Sequence, residues 1–207
     1  MAAHQGGEIG KGPVKWFVDP IDGTANFARG IPHFCISIAY VRDGITEVGA
    51  IYAPATKELW FARRGAGATC NDRPIHVAGT RSFSAACLEL GWSNRRPQKD
   101  YLTVMNRLLD YGANVRRAAS GALGLAYVAD GRSDGYAELH MNAWDCLAGL
   151  LLVEEAGGRV SDLPADGLGQ GGPVLAVVPA LAAEVSAATG IPLASLSNET
   201  DRARMIA

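Results

Sequence analysis

Asp19 and Asp22 stand three residues apart in the run Asp19-Pro20-Ile21-Asp22-Gly23-Thr24. Pro20 fixes its own φ and biases Asp19 toward extended backbone, while Gly23 permits a steep turn that a Cβ would oppose. Such a segment can bring its oxygen atoms to one point. Two carboxylates with a nearby main-chain carbonyl suit Mg²⁺, a hard cation that prefers oxygen ligands and shares its remaining positions between water and a substrate phosphate. The N–H groups of Gly23 and Thr24, at the start of a helical turn expected over residues 25–29, are placed to take a phosphate. The same residues also suit a turn and a helix cap, which on the frequency of turn residues alone is the commoner reading. Spacing by itself does not decide.

The elements that must position these groups are readable around them. Residues 14–18 (VKWFV) read as a buried strand that ends at Asp19-Pro20. Residues 34–41 and 45–52 read as antiparallel neighbours joined by the turn Arg42-Asp43-Gly44. Strand-like segments over 58–63, 73–77 and 86–90 complete a strand-rich first half. Helices then dominate. Tyr101, Leu102, Met105, Leu108 and Leu109 repeat at helical spacing over residues 100–111, with Gly112 as the stop. Ser120 is placed to cap a helix running to Asp130, and Asn142 to cap another from Ala143 to Ala156. A strand is expected over 136–139 between them, and a strand followed by a helix after Val174. A strand-rich half followed by alternating elements implies two packed sublayers without a clear domain boundary.

Composition narrows the function classes. Nineteen Lys and Arg against 21 Asp and Glu leave no basic surplus for a nucleic-acid backbone or an anionic membrane, so neither is expected as the main partner. The longest apolar runs are far too short to span a bilayer. Cys35, Cys70, Cys87 and Cys146 form no C-x-x-C pair and read as reduced, mostly buried thiols of a cytoplasmic protein. His4, His33, His76 and His140 lack zinc spacing, and no G-x-S-x-G elbow or Walker loop is present. The run 167–172 formally fits G-x-G-x-x-G but opens no helix and reads as a loop. Trp16 and Trp144 read as packing anchors beside the aspartates.

Two longer segments resolve the ambiguity at Asp19 and Asp22. WFVDPIDGTANF (residues 16–27) and AWDCLAGLLLVEEAGGRV (residues 143–160) resemble the two signatures of the inositol monophosphatase family of Mg²⁺-dependent, Li⁺-sensitive phosphatases. The intervening IPHFCISIAYVRDGITEVGAIYAPATKELWFARRGAGATCNDRPIHVA is similar to the bacterial inositol-1-phosphatase branch, so the likeness runs from about residue 14 to about residue 190. The resemblance implies an α/β (α+β layered) fold, an αβαβα sandwich, usually a homodimer, acting on a small-molecule phosphomonoester. It assigns the metal to Asp19, the carbonyl of Ile21, Asp22 and Asp145. It makes Thr24 the hydroxyl that orients the attacking water, with Asp22 beside it in the catalytic machinery. For substrate it implies contacts from Gly23, Thr24, Gly121, Glu138 and, through a looser alignment, Ser93. Asp145 also has a physical rationale, since the first turn of a helix favours a carboxylate.

The departures from the family lie mainly at the front. Its members carry helices, a loop and a G-E-E segment with a metal-ligand Glu before D-P-I-D-G-T, whereas Glu8 is the only carboxylate preceding Asp19 here. The expected organisation is therefore an N-terminally shortened sandwich, with a polar segment over 1–13, a phosphatase domain over 14–192 and a polar tail over 193–207. Ala119 stands where the family prefers Gly. The leading expectation is Mg²⁺-dependent hydrolysis of inositol 1-phosphate. The alternatives are a 3′(2′),5′-bisphosphate nucleotidase, a fructose-1,6-bisphosphatase or a histidinol-phosphate phosphatase, or a non-catalytic binding or regulatory relative.

Overall fold

A computed structural model describes residues 12–163 and 167–195. Glu8, most of the expected N-terminal segment and most of the tail lie outside the described residues. The first half is a meander of antiparallel strands, β1 (Val14–Asp22), β2 (Cys35–Arg42), β3 (Ile45–Ala53), β4 (Glu58–Arg63), β5 (Ala68–Cys70) and β6 (Arg73–Pro74), with a short helix α1 (Thr24–Phe27) after β1. The second half comprises β7 (Cys87–Leu90), α2 (Gln98–Asp110), β8 (Asn114–Arg116), α3 (Gly121–Ala129), β9 (Gly135–Met141), α4 (Ala143–Glu155), β10 (Arg159–Val160), α5 (Gly167–Gln170), β11 (Gly172–Val177) and α6 (Ala182–Thr189). Its sheet has the order β10-β11-β9-β7-β8, with β7 parallel to both β8 and β9.

Alternation explains the layers. On β2 the inward residues Cys35, Ala39 and Val41 are buried with Phe17, Ile51 and Trp60 of neighbouring strands against α3 and α4. Helices α3 and α4 carry apolar residues all round, as a layer enclosed by sheets on both sides must. Leu88, Leu90, Leu175 and Val177 turn the opposite face of the second sheet toward α2 and α6. The described residues thus form four layers, sheet, helices, sheet, helices.

Several expectations change. The run 14–18 is not buried on both faces: Phe17 points inward, while Val14, Trp16 and Val18 lie on the outer face of the first sheet and Trp16 is 64% exposed against Tyr40. Trp16 is therefore no core anchor, whereas partly buried Trp144 does pack on the core. The strand also continues through Pro20 to Asp22 instead of stopping at Asp19. This is possible because β1 is an edge strand among the described residues, where a missing N–H is tolerated. The glycine run 167–172 contains one helical turn, α5, where a loop was expected. Helix α2 starts two residues earlier than the periodicity implied, behind Pro97.

One polar cluster ties the layers together. Arg132, after α3, donates to Glu58 of β4 (3.0 Å to Oε2) and pairs with Asp130 at 3.1 Å. Its guanidinium lies 5.6 Å from the Trp60 ring and 5.1 Å from the Tyr127 ring, and Trp60 Nε1 donates to Asp130 at 2.9 Å. Arg132→Ala strips Glu58 and Asp130 of their cation and removes two cation–π contacts. We expect a loss of about 1–3 kcal/mol, read as a lower urea midpoint with unchanged slope.

Candidate active site

The site is built on a defect in β1. Asp19 pairs with Ser37 and Asp22 with Cys35, so a step of three residues on β1 faces a step of two on β2. In a regular strand residues three apart point to opposite faces. The extra residue of this bulge cancels that inversion, and both carboxylates turn inward. Asp19 is 1% exposed and Asp22 7%. Gly23, at φ +88°, then turns the chain into α1. A Cβ there would come within 2.9 Å of the His33 carbonyl, so only glycine fits. Asn26 fastens α1 to the rest by donating to the carbonyls of His33 (2.7 Å) and Ala118 (2.9 Å).

Helix α4 brings the third carboxylate. Asp145 lies in its first turn and accepts hydrogen bonds from the N–H (3.2 Å) and side-chain amide (2.9 Å) of Asn142, which orient it. Asp19, Asp22 and Asp145 each offer an oxygen, and these atoms all lie within 4.8 Å of one another. Burial pushes the Asp22 carboxyl well up, and Asp145 and Asp19 push it further, against the Ser120 hydroxyl that holds it down. Asp145 rises to about 7, first through burial and then through Asp19. Among the described residues neither Asp22 nor Asp145 has an ion-pair partner. Converging carboxylates with oxygen donors only, raised by desolvation and mutual repulsion, fit a hard divalent cation.

These groups line a cleft of about 290 Å³, together with Gly23, Gly121 and Glu138. Tyr136 donates to Glu138 Oε2 at 2.5 Å, and burial lifts the Glu138 carboxyl to about 7. The fold thus brings Asp19, Asp22, Gly23, Gly121, Glu138 and Asp145 to one cleft. Four other expectations fare differently. Ile21, Thr24 and Ser93 lie outside the cleft lining: the Thr24 hydroxyl donates to the Ile21 carbonyl at 2.9 Å, and the Ser93 hydroxyl accepts from the Arg95 N–H at 3.3 Å. Ser120 precedes α3, yet its hydroxyl donates to Asp22 instead of capping the helix, because the buried carboxylate is the stronger acceptor.

A scan against family models matches residues 1–195 to the inositol monophosphatase family. The chain belongs to this family. A protein of Xylella fastidiosa named Nus factor SuhB is 44% identical over 78% of this chain and 60% of its own length. The inositol-1-monophosphatase of Rhizobium meliloti is also 44% identical, over 75% of this chain and 59% of its own length. The chain thus spans about three fifths of the length of these curated relatives. The solved inositol monophosphatase of Anabaena superposes with a TM-score of 0.78 at 38% identity, covering 90% of this chain and 78% of that one. The suhB protein of Bartonella henselae gives 0.80 at 36%, covering 86% and 69%.

Sequence reading missed several residues of this cleft. Glu89, Arg95, Arg117 and Tyr136 come from β7, from the loops after β7 and β8, and from β9, and no local motif marks them. Glu89 is 2% exposed. Its Oε1 accepts from the Ala118 N–H at 3.3 Å, while Oε2 has no hydrogen-bond partner. Ala119 is the one departure whose physical meaning is now visible, since its φ of +63° is left-handed and favours the glycine usual in the family. Ala119→Gly is expected to stabilise the protein by about 1 kcal/mol, read as a rise in melting temperature.

The raised carboxyls also set a pH dependence. Glu138 and Asp145 titrate near 7 when folded, above the 4.5 and 3.8 of free side chains. Between those values the folded chain binds more protons than the unfolded chain, so stability falls as pH rises. Cation-free protein should melt higher at about pH 5.5 than at about pH 8. A melting temperature that climbs across this interval would contradict the site's electrostatics.

Proposed function

We propose that this protein hydrolyses a small phosphomonoester with the help of Mg²⁺, most simply inositol 1-phosphate to inositol and phosphate. The carrying observation is the convergence of Asp19, Asp22 and Asp145 within 4.8 Å, with Asp22 and Asp145 lacking an ion-pair partner among the described residues. These side chains, with the Ile21 carbonyl, would hold the cation, which when bound supplies charge neutralisation at the phosphate oxygens and acidification of water. Ser120 and Asn142 hold the Asp22 and Asp145 carboxylates in place. Thr24 donates its only hydroxyl proton to the Ile21 carbonyl, so its oxygen is left to accept from the water that attacks phosphorus in line. The N–H groups of Gly23 and Thr24 receive the phosphate. Glu138 takes the Tyr136 hydroxyl on one oxygen and keeps the other for a substrate hydroxyl. Ser93 contributes by shaping the loop that carries Arg95.

Four free thiols, two of them buried, support a reducing, cytoplasmic setting. No helix among the described residues is long and apolar enough to cross a membrane. The family resemblance supports a homodimer. Phosphate release from inositol 1-phosphate, with and without Mg²⁺ and then with Li⁺, tests the reading: release should require Mg²⁺ and fall with Li⁺. A second reading, a binding or regulatory protein, is favoured by the name Nus factor carried by the Xylella relative. Folded protein that releases no phosphate from inositol 1-phosphate or from the bisphosphate alternatives would put this reading first.

A further inference from the structure

We propose that Trp92 is a platform for the ring of the substrate, so that the preferred phosphomonoester is that of a cyclic polyol, which lays a C–H face on the indole, and not that of an open-chain one. The inference rests on the phosphatase reading for the ester that is cleaved, but the platform itself is a matter of binding. Trp92 lines the same cleft as Asp19, Asp22 and Asp145. The other two large side chains of that lining with apolar surface are spent on the core, Tyr136 being 2% exposed and Met141 3%. Trp92 is only partly buried. Among the residues that line the cleft, it alone offers an apolar surface of any size.

Its place is fixed on both sides. Gly91, just before it, donates its N–H to the Ala137 carbonyl of β9 at 2.8 Å. A Cβ on Gly91 would run into Glu138 Oε2 and the Tyr136 hydroxyl, so the backbone that carries Trp92 packs directly on the Glu138 and Tyr136 pair. Ser93, just after it, is buried. The indole meets Tyr101 of α2 edge to face, with ring centroids 5.2 Å apart at 79°. Burial raises the Tyr101 hydroxyl, and the charges of Arg117 and Glu138 also reach it, so this aromatic pair stands within range of the same carboxylate. An anchored aromatic ring next to Glu138 can read both aspects of a cyclitol. Equatorial hydroxyls point outward, toward a group such as Glu138, while axial C–H bonds make apolar faces that fit an indole. An open-chain polyol has no persistent face to offer and must give up more torsional freedom to bind. A volume of about 290 Å³ admits one such ring.

The test compares inositol 1-phosphate with an open-chain hexitol 1-phosphate, which has the same number of carbons and hydroxyls but no ring, for the native protein, Trp92→Phe and Trp92→Ala. The quantity read is the ratio of kcat/KM for the two substrates. We expect a ratio of about 10 in favour of the ring, carried by KM, largely kept in Trp92→Phe and falling to about 1 in Trp92→Ala. Calorimetry with the phosphonate isosteres of the same two compounds, in the presence of Mg²⁺, reads binding without turnover. Ring-selective, Trp92-dependent binding without any phosphate release would uphold the platform and reject the phosphatase reading. Turnover with the same ratio in all three proteins would do the reverse. An equal loss on both substrates in Trp92→Ala would also overturn the platform, since a residue that merely anchors its loop against Tyr101 harms every substrate alike. A Trp92→Phe as unselective as Trp92→Ala would overturn it too, by assigning the effect to the indole N–H and not to the ring face. A ratio taken within one protein is independent of its folded fraction, so the comparison stands even where Trp92→Ala is less stable.

Discussion

Asp145→Asn is expected to lower phosphate release by about 10²- to 10³-fold while raising the melting temperature of the cation-free protein. The two effects have one cause. Asp145 is held in a buried cluster beside Asp19, which lifts its carboxyl to about 7, so at about pH 8 the folded chain must carry a charge its surroundings disfavour. Asparagine has nearly the same shape, and its oxygen still accepts from the Asn142 N–H and amide that orient the aspartate. Removing the charge should return about 1–3 kcal/mol at that pH, or about 2–12 °C in a chain of this length. The gain should shrink toward pH 5, where the native carboxyl is itself protonated. Mg²⁺ should raise the melting temperature of the native protein more than that of the variant, since ligand binding to the folded state stabilises it. If Asp145→Asn lost activity only in proportion to lost folded protein, the residue would be structural and the proposed cation site would fail.

Gly49→Val is expected to have the largest effect on stability. Gly49 lies in β3 where α4 crosses the sheet, and a Cβ there would stand 2.8 Å from the Ala148 carbonyl oxygen and 2.9 Å from the Ala148 Cα. Both are backbone atoms inside a helix, so no side-chain rotation relieves the clash and α4 must move as a body. The expected cost is about 3 kcal/mol or more, lowering the melting temperature by about 6–12 °C. Gly79→Ala is the control: nothing lies within 4 Å of its Cβ position, and the change should be close to neutral. Because α4 also carries Asp145, any folded Gly49→Val should bind Mg²⁺ more weakly than its loss of stability alone would require. Equal melting temperatures for the two glycine variants would mean that the helix and sheet are not as close as described.

Much of this was legible in the chain before any coordinates. Asp19, Asp22 and Asp145 were singled out as metal candidates, and Asn142 was read as the residue beginning α4. The turn Arg42-Asp43-Gly44 was expected between β2 and β3, and Asp43 and Gly44 do take the positive φ values of 51° and 81° that such a hairpin needs. Apart from the metal role of Asp145, which the family resemblance implied, each of these is a local property. Turn chemistry, capping and periodicity depend on residues a few positions apart, and so they survive reading one segment at a time.

Other features depended on partners far away in the chain. Nothing in residues 19–22 says that the strand continues through Pro20, and only pairing with Ser37 and Cys35 creates the bulge that turns both carboxylates inward. The Ser120 hydroxyl reaches Asp22 across 98 positions, which converts an expected helix cap into a support for the cluster. Trp16 is apolar enough to suggest a core, but its strand's register sends it to the outer face of the sheet. Glu89, Arg117 and Tyr136 lie far apart in the sequence and line one cleft only because β7, β8 and β9 are adjacent in one sheet. The sequence by itself therefore determined which oxygen donors this protein possesses, the family they belong to and the local turns that present them. Tertiary structure alone decided which of them converge, which are held by neighbours and which charges face them, because convergence is set by long-range pairing and burial rather than by local spacing.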